Sequence, residues 1–258
     1  MIEEFDLNRN LTCKTVIAGI CFEIRCQYPS TVWLCRDYPA GEDTPVQEYI
    51  HITVEDIEGE RQRLLRKKNP GELLEASTPE ALERLHLCRR IAELLPKYDR
   101  VLFHGSSLAI DGRGVLFTAK SGTGKSTHTR NWRHAFGDRV KMVNDDKPFL
   151  HISQEGVTVY GTPWRGKHAL GENISAPLKA IYFVNRGEEN RVEAVTGREL
   201  YPLLLQQTYT PDDPQAMVKT LALVDRLSRN TRLLKLYCNM DPESALVACQ
   251  GLDTEFGE

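Results

Sequence analysis

The sequence predicts an α/β fold built around a mixed β-sheet, and three observations predict it. From residue 100 onward, apolar segments of strand type alternate with segments of helical periodicity, which is the order typical of α/β domains. After residue 140 the strand-type segments follow one another closely, and this spacing favours a mixed over a purely parallel sheet. Residues 114–127, GVLFTAKSGTGKST, join a short apolar strand to a helix through a Gly-containing loop.

Residues 1–95 predict a small β-rich N-terminal module that ends in a linking helix. Segments 15–26 and 49–54 are rich in β-branched and aromatic residues, with Pro- and Gly-containing turns between them. In the helix, Thr78 is the predicted N-cap and Pro79 occupies the first helical position. Apolar residues then recur at helical spacing, so we place a domain boundary near residue 95.

Residues 96–258 predict the second domain, which carries the main sheet. Its strand-type segments are 101–104, 115–118, 140–144, 157–160, 180–184 and 233–238. Helices are predicted over 125–136, 199–207 and 213–228, and from Pro242 onward.

The composition limits the class of protein. With 258 residues, of which 41% are apolar and 27% charged, the chain fits a globular α/β domain with a smaller module. The formal net charge of −3 offers no basic footprint for nucleic acid, and no apolar run reaches the length of a membrane span. The acidic N-terminus does not resemble a signal peptide, and the seven cysteines form no C-x-x-C pair. We therefore expect a cytoplasmic protein with free thiols that binds neither nucleic acid nor membrane.

The segment at 114–127 has the layout of a phosphate-binding loop: a strand, a tight turn and a helix N-terminus. Its glycines let backbone N–H groups turn toward phosphate oxygens, Lys125 can reach the terminal phosphates, and Ser126 offers a hydroxyl to Mg²⁺. Ala119 replaces the first glycine of the common G-x-x-x-x-G-K-[ST] pattern, and alanine is tolerated there if its φ is negative. The residues predicted to bind nucleotide are Lys120, Ser121, Gly122, Thr123, Gly124, Lys125, Ser126 and Thr127.

An acidic pair supplies the other groups that phosphoryl transfer needs. Asp145 and Asp146 end an apolar strand about 20 residues after Lys125. One carboxylate can hold Mg²⁺ together with Ser126, and its neighbour can accept the proton of an attacking hydroxyl. The alternative is a polar turn that simply closes the strand.

Two further segments carry candidate side chains. His104 ends the strand-type segment before the loop strand, where it is either a structural histidine or part of the site. Residues 160–173, YGTPWRGKHALGEN, place Arg165, Lys167 and His168 in a Gly- and Pro-rich loop between two strands. Cations there could neutralise charge on a transferred phosphoryl group. The alternative is an exposed basic turn that Trp164 anchors by packing.

The spacing of these residues resembles the catalytic domain of HPr kinase/phosphorylase. The pattern runs His104-Gly, then Gly112-x-Gly114, then Ser121-Gly-x-Gly124-Lys125-Ser126 and finally Asn144-Asp145-Asp146, so the resemblance covers roughly residues 100–185. That family shares its P-loop mixed-sheet core with the ATP-dependent phosphoenolpyruvate carboxykinases. The TPWRGK stretch and the strand after it are similar to smaller, stand-alone relatives of HPr kinase, some of which occur with peptide-modification systems.

The resemblance implies a role for each matching residue. Lys125 and Ser126 would hold phosphates and Mg²⁺, Asp146 would accept the proton of a serine hydroxyl, and His104 would lie in the active site. Thr127 stands where the family has a glutamate, and Arg165 matches the family's arginine–glycine signature only by position. Family members form hexamers, which makes a homo-oligomer an expectation.

The sequence therefore predicts an ATP- and Mg²⁺-dependent kinase. Its acceptor would be a hydroxyl group of a protein, peptide or small molecule, and a serine hydroxyl is the first candidate. Lys125, His104, Asp146 and Arg165 are the predicted catalytic residues, and Ser126 and Asp145 the predicted metal ligands. Two alternatives remain: a small-molecule kinase on the same fold, and a regulator that senses ATP without catalysis.

Overall fold

The computed structural model describes residues 11–67, 78–119 and 123–254. The chain divides into two compact units, an N-terminal unit over Met1–Ile91 and a C-terminal unit over Ala92–Glu258. Of the helices that these ranges contain, none is both long enough and apolar enough to cross a membrane.

The N-terminal unit is a three-stranded sheet with helices. Its strands are β1 Leu11–Ile17, β2 Ile20–Cys26 and β3 Glu48–His51. Its described helices are α1 Pro29–Leu34, α2 Val54–Lys67 and α3 Pro79–Leu94, and the last three residues of α3 belong to the C-terminal unit. Strands β1 and β2 form a hairpin whose turn residues, Ala18 and Gly19, have φ of 49° and 77°, as a tight two-residue hairpin turn requires. The helix predicted from Thr78 is confirmed, since the Thr78 hydroxyl accepts a hydrogen bond from the Ala81 amide at 3.2 Å. Helices α1 and α2 were not predicted.

The C-terminal unit contains nine strands and four α-helices within the described ranges. The strands are β4 Arg100–Leu102, β5 Gly105–Ile110, β6 Arg113–Thr118, β7 Val140–Asp146, β8 Phe149–Ile152, β9 Val157–Tyr160, β10 Ser175–Arg186, β11 Arg191–Ala194 and β12 Arg232–Cys238. The helices are α4 Lys125–Phe136, α5 Leu200–Gln207, α6 Pro214–Asn230 and α7 Glu243–Gly251. Short 3₁₀ turns lie at Leu95–Tyr98, Gly137–Arg139 and Gly197–Glu199.

The main sheet is mixed, as the sequence predicts. Its order is β4-β8-β9-β10-β6-β5-β7, with β12 pairing with β10 and β11 with β12. Strands β6, β10 and β12 run parallel at its centre, whereas β5, β7, β8, β9 and β11 pair antiparallel with their neighbours. The parallel centre therefore brings the carboxyl ends of three strands to one edge of the sheet.

Both faces of the central strands are covered by helices. On β6, Val115 and Phe117 belong to a core that includes Trp132 of α4 and Ala245 of α7. Leu116 points to the opposite core, which α5 and α6 complete. Burial on both faces explains why these strands are continuously apolar.

Helix α4 packs on the sheet through Phe117 of β6 and contains a buried polar contact between two of its own side chains. Trp132 Nε1 donates to His128 Nε2 at 2.9 Å, and both side chains are buried. Burial lowers the pKa of His128 to about 3, so the ring is neutral at pH 7 and can accept this bond. The ring of Phe117 lies against both side chains, which holds the helix over the loop strand.

The strand boundaries near the loop differ from prediction in one important respect. The predicted strand over 101–104 ends at Leu102, and His104 lies in the connection to β5, which was not predicted. Strand β5 reads GSSLAI and is buried at all six positions. Polar and apolar residues do not alternate along β5, because both of its faces are covered. The strand also has few of the β-branched and aromatic residues that usually indicate a strand. Strands β8 and β11 were missed as well.

Candidate active site

The predicted phosphate-binding loop follows β6 and leads into α4. Lys120, Ser121 and Gly122 lie outside the described residues, whereas Thr123, Gly124, Lys125, Ser126 and Thr127 are described. Gly124 is the N-cap of α4 with φ of 117°, a conformation that disfavours residues with a Cβ. Lys125 Nζ donates to the Ala119 carbonyl at 2.9 Å, across the loop. The N-terminus of α4, whose first N–H groups have no acceptor within the helix and form its positive dipole end, therefore lies at the loop.

Strand pairing brings His104 beside Asp146. Gly105 on β5 lies opposite Asp146 on β7, so the preceding residue, His104, stands at the end of β7. His104 Nε2 lies 3.6 Å from Asp146 Oδ1, and Lys147 Nζ forms an ion pair with Asp146 Oδ2. Burial lowers the pKa of the His104 imidazole, Lys125 acts in the same direction, and Asp146 opposes both. The ring is therefore mainly neutral at pH 7.

The backbone of His104 is tied to elements on both sides. Its carbonyl accepts from Thr118 Oγ1 at 2.8 Å, at the last residue of the loop strand. Its amide donates to the Gln207 carbonyl at 2.7 Å, and its Nδ1 lies 3.3 Å from Gln207 Oε1. These contacts fix which ring nitrogen faces Asp146.

Asp145 lies on the same edge and is buried. The Ser106 hydroxyl donates to Asp145 Oδ1 from the neighbouring strand β5. Burial raises the pKa of the Asp145 carboxyl, and the bond from Ser106 opposes this shift. Burial lowers the pKa of Lys125, whereas the charges of Asp146 and Asp145 raise it. The charge of the loop lysine and the charges of the acidic pair are thus close enough to influence one another.

Asn144 holds the turn that carries the acidic pair. Its Oδ1 accepts from the amides of Asp146 and Lys147 at 3.0 and 2.7 Å. Its Nδ2 donates to the carbonyl and hydroxyl of Thr162 at 3.1 and 3.0 Å. The side chain is fully buried, so its four hydrogen bonds fix the backbone conformation of the turn after β7.

Glycines of the 160–173 loop pack directly on the end of β7. A Cβ on Gly161 would lie 2.8 Å from the Val143 carbonyl oxygen, and one on Gly171 would lie 2.9 Å from the same oxygen. A Cβ on Gly166 would lie 2.5 Å from the Asp145 carbonyl oxygen. The loop backbone therefore lies against the acidic pair at distances that side chains would prevent.

This packing brings part of the basic loop to the site. His168 lies close enough to Asp145 to lower the pKa of that carboxyl slightly, against the larger effect of burial, although its own side chain is exposed. Arg165 is half-buried and its Cγ would lie 3.4 Å from a Cβ on Gly171. Lys167 is exposed, and the Trp164 ring stacks on Phe149 with centroids 6.2 Å apart. The loop thus contains the packing anchor of the alternative interpretation, Trp164, and also brings His168 near Asp145.

Gly166 allows a sharp test of this packing. We expect Gly166→Ala to displace the Asp145–Asp146 turn, because its φ of 67° is strained for alanine and its Cβ would overlap the Asp145 carbonyl. Gly197→Ala is the matched control, since Gly197 has φ of 61° and no atom within 4 Å of its Cβ position. We expect Gly166→Ala, but not Gly197→Ala, to lower the predicted nucleotide turnover by about tenfold or more. The strain of alanine at a positive φ, about 1 kcal/mol, is common to both variants and therefore does not account for the difference. Equal turnover in both variants would show that the close approach is unimportant.

Sequence reasoning gave no role to five residues that shape the site, although one of them, Asn144, stands in the motif with the acidic pair: Ser106, Arg133, Asn144, Lys147 and Thr162. Arg133 lies on α4 and acts on Asp145 as a positive charge, and its buried Nε has no hydrogen-bond partner among the described residues. Asn144 directly precedes the acidic pair, and an asparagine at the end of an apolar strand is a turn signal that the sequence does display. The other side chains depend on strand pairing that the sequence does not display.

No protein-family model matches the chain, and no curated protein matches it. Among solved structures, it is similar to the HPr(Ser) kinase/phosphatase from Coxiella burnetii, with 16% identity and a TM-score of 0.27. The match covers 50% of this chain and 88% of that one. Likeness of this degree carries no argument about activity.

Proposed function

We propose that the protein is an ATP- and Mg²⁺-dependent kinase that transfers the γ-phosphoryl group to a hydroxyl. The observation that carries the proposal is the convergence of Lys125, Asp145, Asp146 and His104 at the carboxyl edge of the parallel strands. These residues come from the loop after β6, from β7 and from the connection before β5. Phosphoryl transfer needs this combination of phosphate-binding, metal-binding and proton-accepting groups.

The donor phosphates would bind to the N-terminus of α4. Backbone N–H groups of residues 120–126 would face the phosphate oxygens, and Lys125 would neutralise their charge. The Lys125 ammonium now donates to the Ala119 carbonyl, so it would exchange this bond for phosphate oxygens when the donor binds. Arg165 would stabilise charge on the transferring group from the loop that packs on β7.

The residues fit a magnesium ion by the chemistry of their donor atoms. Asp145 offers a carboxylate and Ser126 a hydroxyl, both of them hard oxygen donors of the kind that Mg²⁺ prefers. Ser106 holds Asp145 Oδ1 and so orients the carboxylate, in the way that outer contacts orient metal ligands. Bound Mg²⁺ would neutralise charge on the phosphates, and two protein ligands are sufficient because water and phosphate complete its coordination.

Asp146 would act as the base toward the acceptor hydroxyl. Its carboxylate faces His104 Nε2 at 3.6 Å and pairs with Lys147, so two side chains orient it. A mainly neutral imidazole would leave the aspartate free to accept the proton. The acceptor would be a serine of a protein or peptide, or a small hydroxylated molecule, and the reaction would take place in the cytoplasm.

One observation favours a second candidate, an ATP-sensing regulator without catalysis. The ion pair between Lys147 and Asp146 engages the carboxylate that the kinase proposal requires as a base. An aspartate held in this way would serve to position a bound nucleotide rather than to accept a proton. The two candidates differ in whether phosphate leaves the nucleotide.

Incubation with Mg²⁺, γ-labelled ATP and an extract of the source organism tests the proposal. The expected result is label in a polypeptide or in a hydroxylated small molecule, and the two fractions distinguish the two acceptor classes. ATP labelled at the α-phosphate is the matched control, because phosphoryl transfer leaves this label in the nucleotide. Label that remains in nucleotide, or appears only as slowly released inorganic phosphate, would contradict the kinase and favour the sensor.

A further inference from the structure

Two of the parallel strands extend beyond the level at which the phosphate-binding loop begins. The last pair between β6 and β10 is Thr118 with Phe183, whereas β10 and β12 stay paired as far as Arg186 and Cys238. Three further residues correspond to roughly 10 Å of strand. The loops after β10 and β12 therefore rise past the start of the phosphate-binding loop, at the edge where open α/β sheets bind ligands.

These two loops are joined to each other by hydrogen bonds. The Gly187 amide donates to the Cys238 carbonyl at 3.0 Å. Asn239 donates through its amide to Asn190 Oδ1 at 3.1 Å and through its Nδ2 to the Glu188 carbonyl at 3.3 Å. We call the segments 187–190 and 239–242 together the β10/β12 wall. The contacts make the wall one unit rather than two independent loops.

The β10/β12 wall is also tied to the helix that begins at the phosphate-binding loop. Asn131 Nδ2 on α4 lies 3.3 Å from the Met240 carbonyl and 3.2 Å from the Asp241 carbonyl. Asn131 is buried and lies six residues after Lys125, which is roughly 9 Å along a helix. The position of Met240 relative to the loop lysine is therefore set by a buried contact.

The side chains of the wall differ in chemistry from those at the acidic pair. The Met240 side chain is 77% exposed although its backbone is fixed. Glu188, Glu189 and Asp241 are exposed acids, which repel phosphate but can accept hydrogen bonds from sugar hydroxyls. Cations gather instead around Asp145 and Asp146. This division of charge suits a ligand with an anionic end and a neutral, hydroxylated, aromatic end.

We propose that the β10/β12 wall binds the nucleoside end of the phosphoryl donor and that Met240 contacts the base. A thioether is polarizable and makes favourable contacts with aromatic rings, which suits it to a flat heteroaromatic base. The inference rests on the proposed function, because it assumes a nucleotide whose phosphates lie at Lys125. Beyond that function, the inference makes Met240 a residue that determines affinity for the nucleoside without contacting the phosphates.

Calorimetric titration with ATP and with inorganic tripolyphosphate, which has no nucleoside, tests the inference. Wild type should bind ATP more tightly than tripolyphosphate. Met240→Ala should weaken ATP binding by about three- to tenfold and leave tripolyphosphate binding unchanged, since only the base contact is lost. Met240→Leu should restore part of the affinity. Leu246→Ala is the matched control, because Leu246 is a neighbouring apolar side chain that is 46% exposed on α7, and it should change neither affinity.

The possible failures are distinguishable. ATP binding by Met240→Ala at wild-type strength, or equal affinity of wild type for ATP and tripolyphosphate, would overturn the inference and leave the phosphate site standing. A wild-type protein that binds neither compound would overturn the proposed function itself, and the inference with it.

Discussion

Replacing Lys125 by alanine is expected to abolish phosphoryl transfer and to reduce nucleotide affinity strongly. The Lys125 ammonium lies at the start of α4, where burial lowers its pKa and the nearby charges of Asp146 and Asp145 oppose that shift. With the lysine removed, the loop would lose the charge that balances the terminal phosphates, and the two carboxylates would repel them. We expect turnover to fall by about 10²–10³-fold or more, as measured with γ-labelled ATP.

Lys141→Ala is the matched control for this prediction. Lys141 is exposed on β7, the strand that carries the acidic pair, but lies before its buried end. The control should retain wild-type turnover and wild-type affinity. Nucleotide affinity in Lys125→Ala equal to that of wild type would show that the donor phosphates do not bind at this loop.

Local features of the site could be predicted from the sequence because they depend on residues close together in the chain. A strand, a Gly-containing loop and a helix start are encoded within residues 114–127, and the structure has β6 and α4 on either side of the loop. The end of β7 at Asp146 is likewise a local feature. The mixed character of the sheet followed from the close spacing of strands after residue 140.

Features that depend on strand pairing could not be predicted in the same way. His104 reaches Asp146 only because β5 pairs with β7, and β5 begins with three small residues, Gly105 to Ser107, that give no strand signal. The Ser106 contact to Asp145 follows from the same pairing. Pairing between distant segments is set by burial on both faces of the sheet, which a single sequence does not display.

The role of the 160–173 loop could likewise be predicted only in part from the sequence. Its glycines were recognisable, but their function is to let the loop backbone approach Asp145, which is a tertiary contact. Arg165 therefore remains a prediction made by position, and the packing of Gly166 and Gly171 is what gives it a location near the acidic pair. A glycine in a loop indicates that the backbone can adopt unusual conformations or approach another chain segment closely. The sequence does not show which contact requires the glycine.

Asp146→Asn is expected to separate binding from turnover. Asparagine keeps nearly the same size, and its carbonyl oxygen can still accept a hydrogen bond from the Lys147 ammonium, so the turn held by Asn144 should persist. Its neutral amide cannot accept the proton of an attacking hydroxyl. We therefore expect nucleotide affinity within about threefold of wild type and a loss of turnover of about 10²–10⁴-fold.

Asp138→Asn is the matched control, since Asp138 is exposed in the 3₁₀ turn between α4 and β7 and lies on the same segment of chain. It should leave affinity and turnover unchanged. The measurement also separates the two candidate functions: a sensor would lose no turnover in Asp146→Asn, because it has none beyond background hydrolysis. Full transfer activity in Asp146→Asn would contradict the assignment of the base. The proton acceptor would then have to be another group within reach of the acceptor hydroxyl, and the mainly neutral imidazole of His104, 3.6 Å from Asp146, would be the next residue to replace.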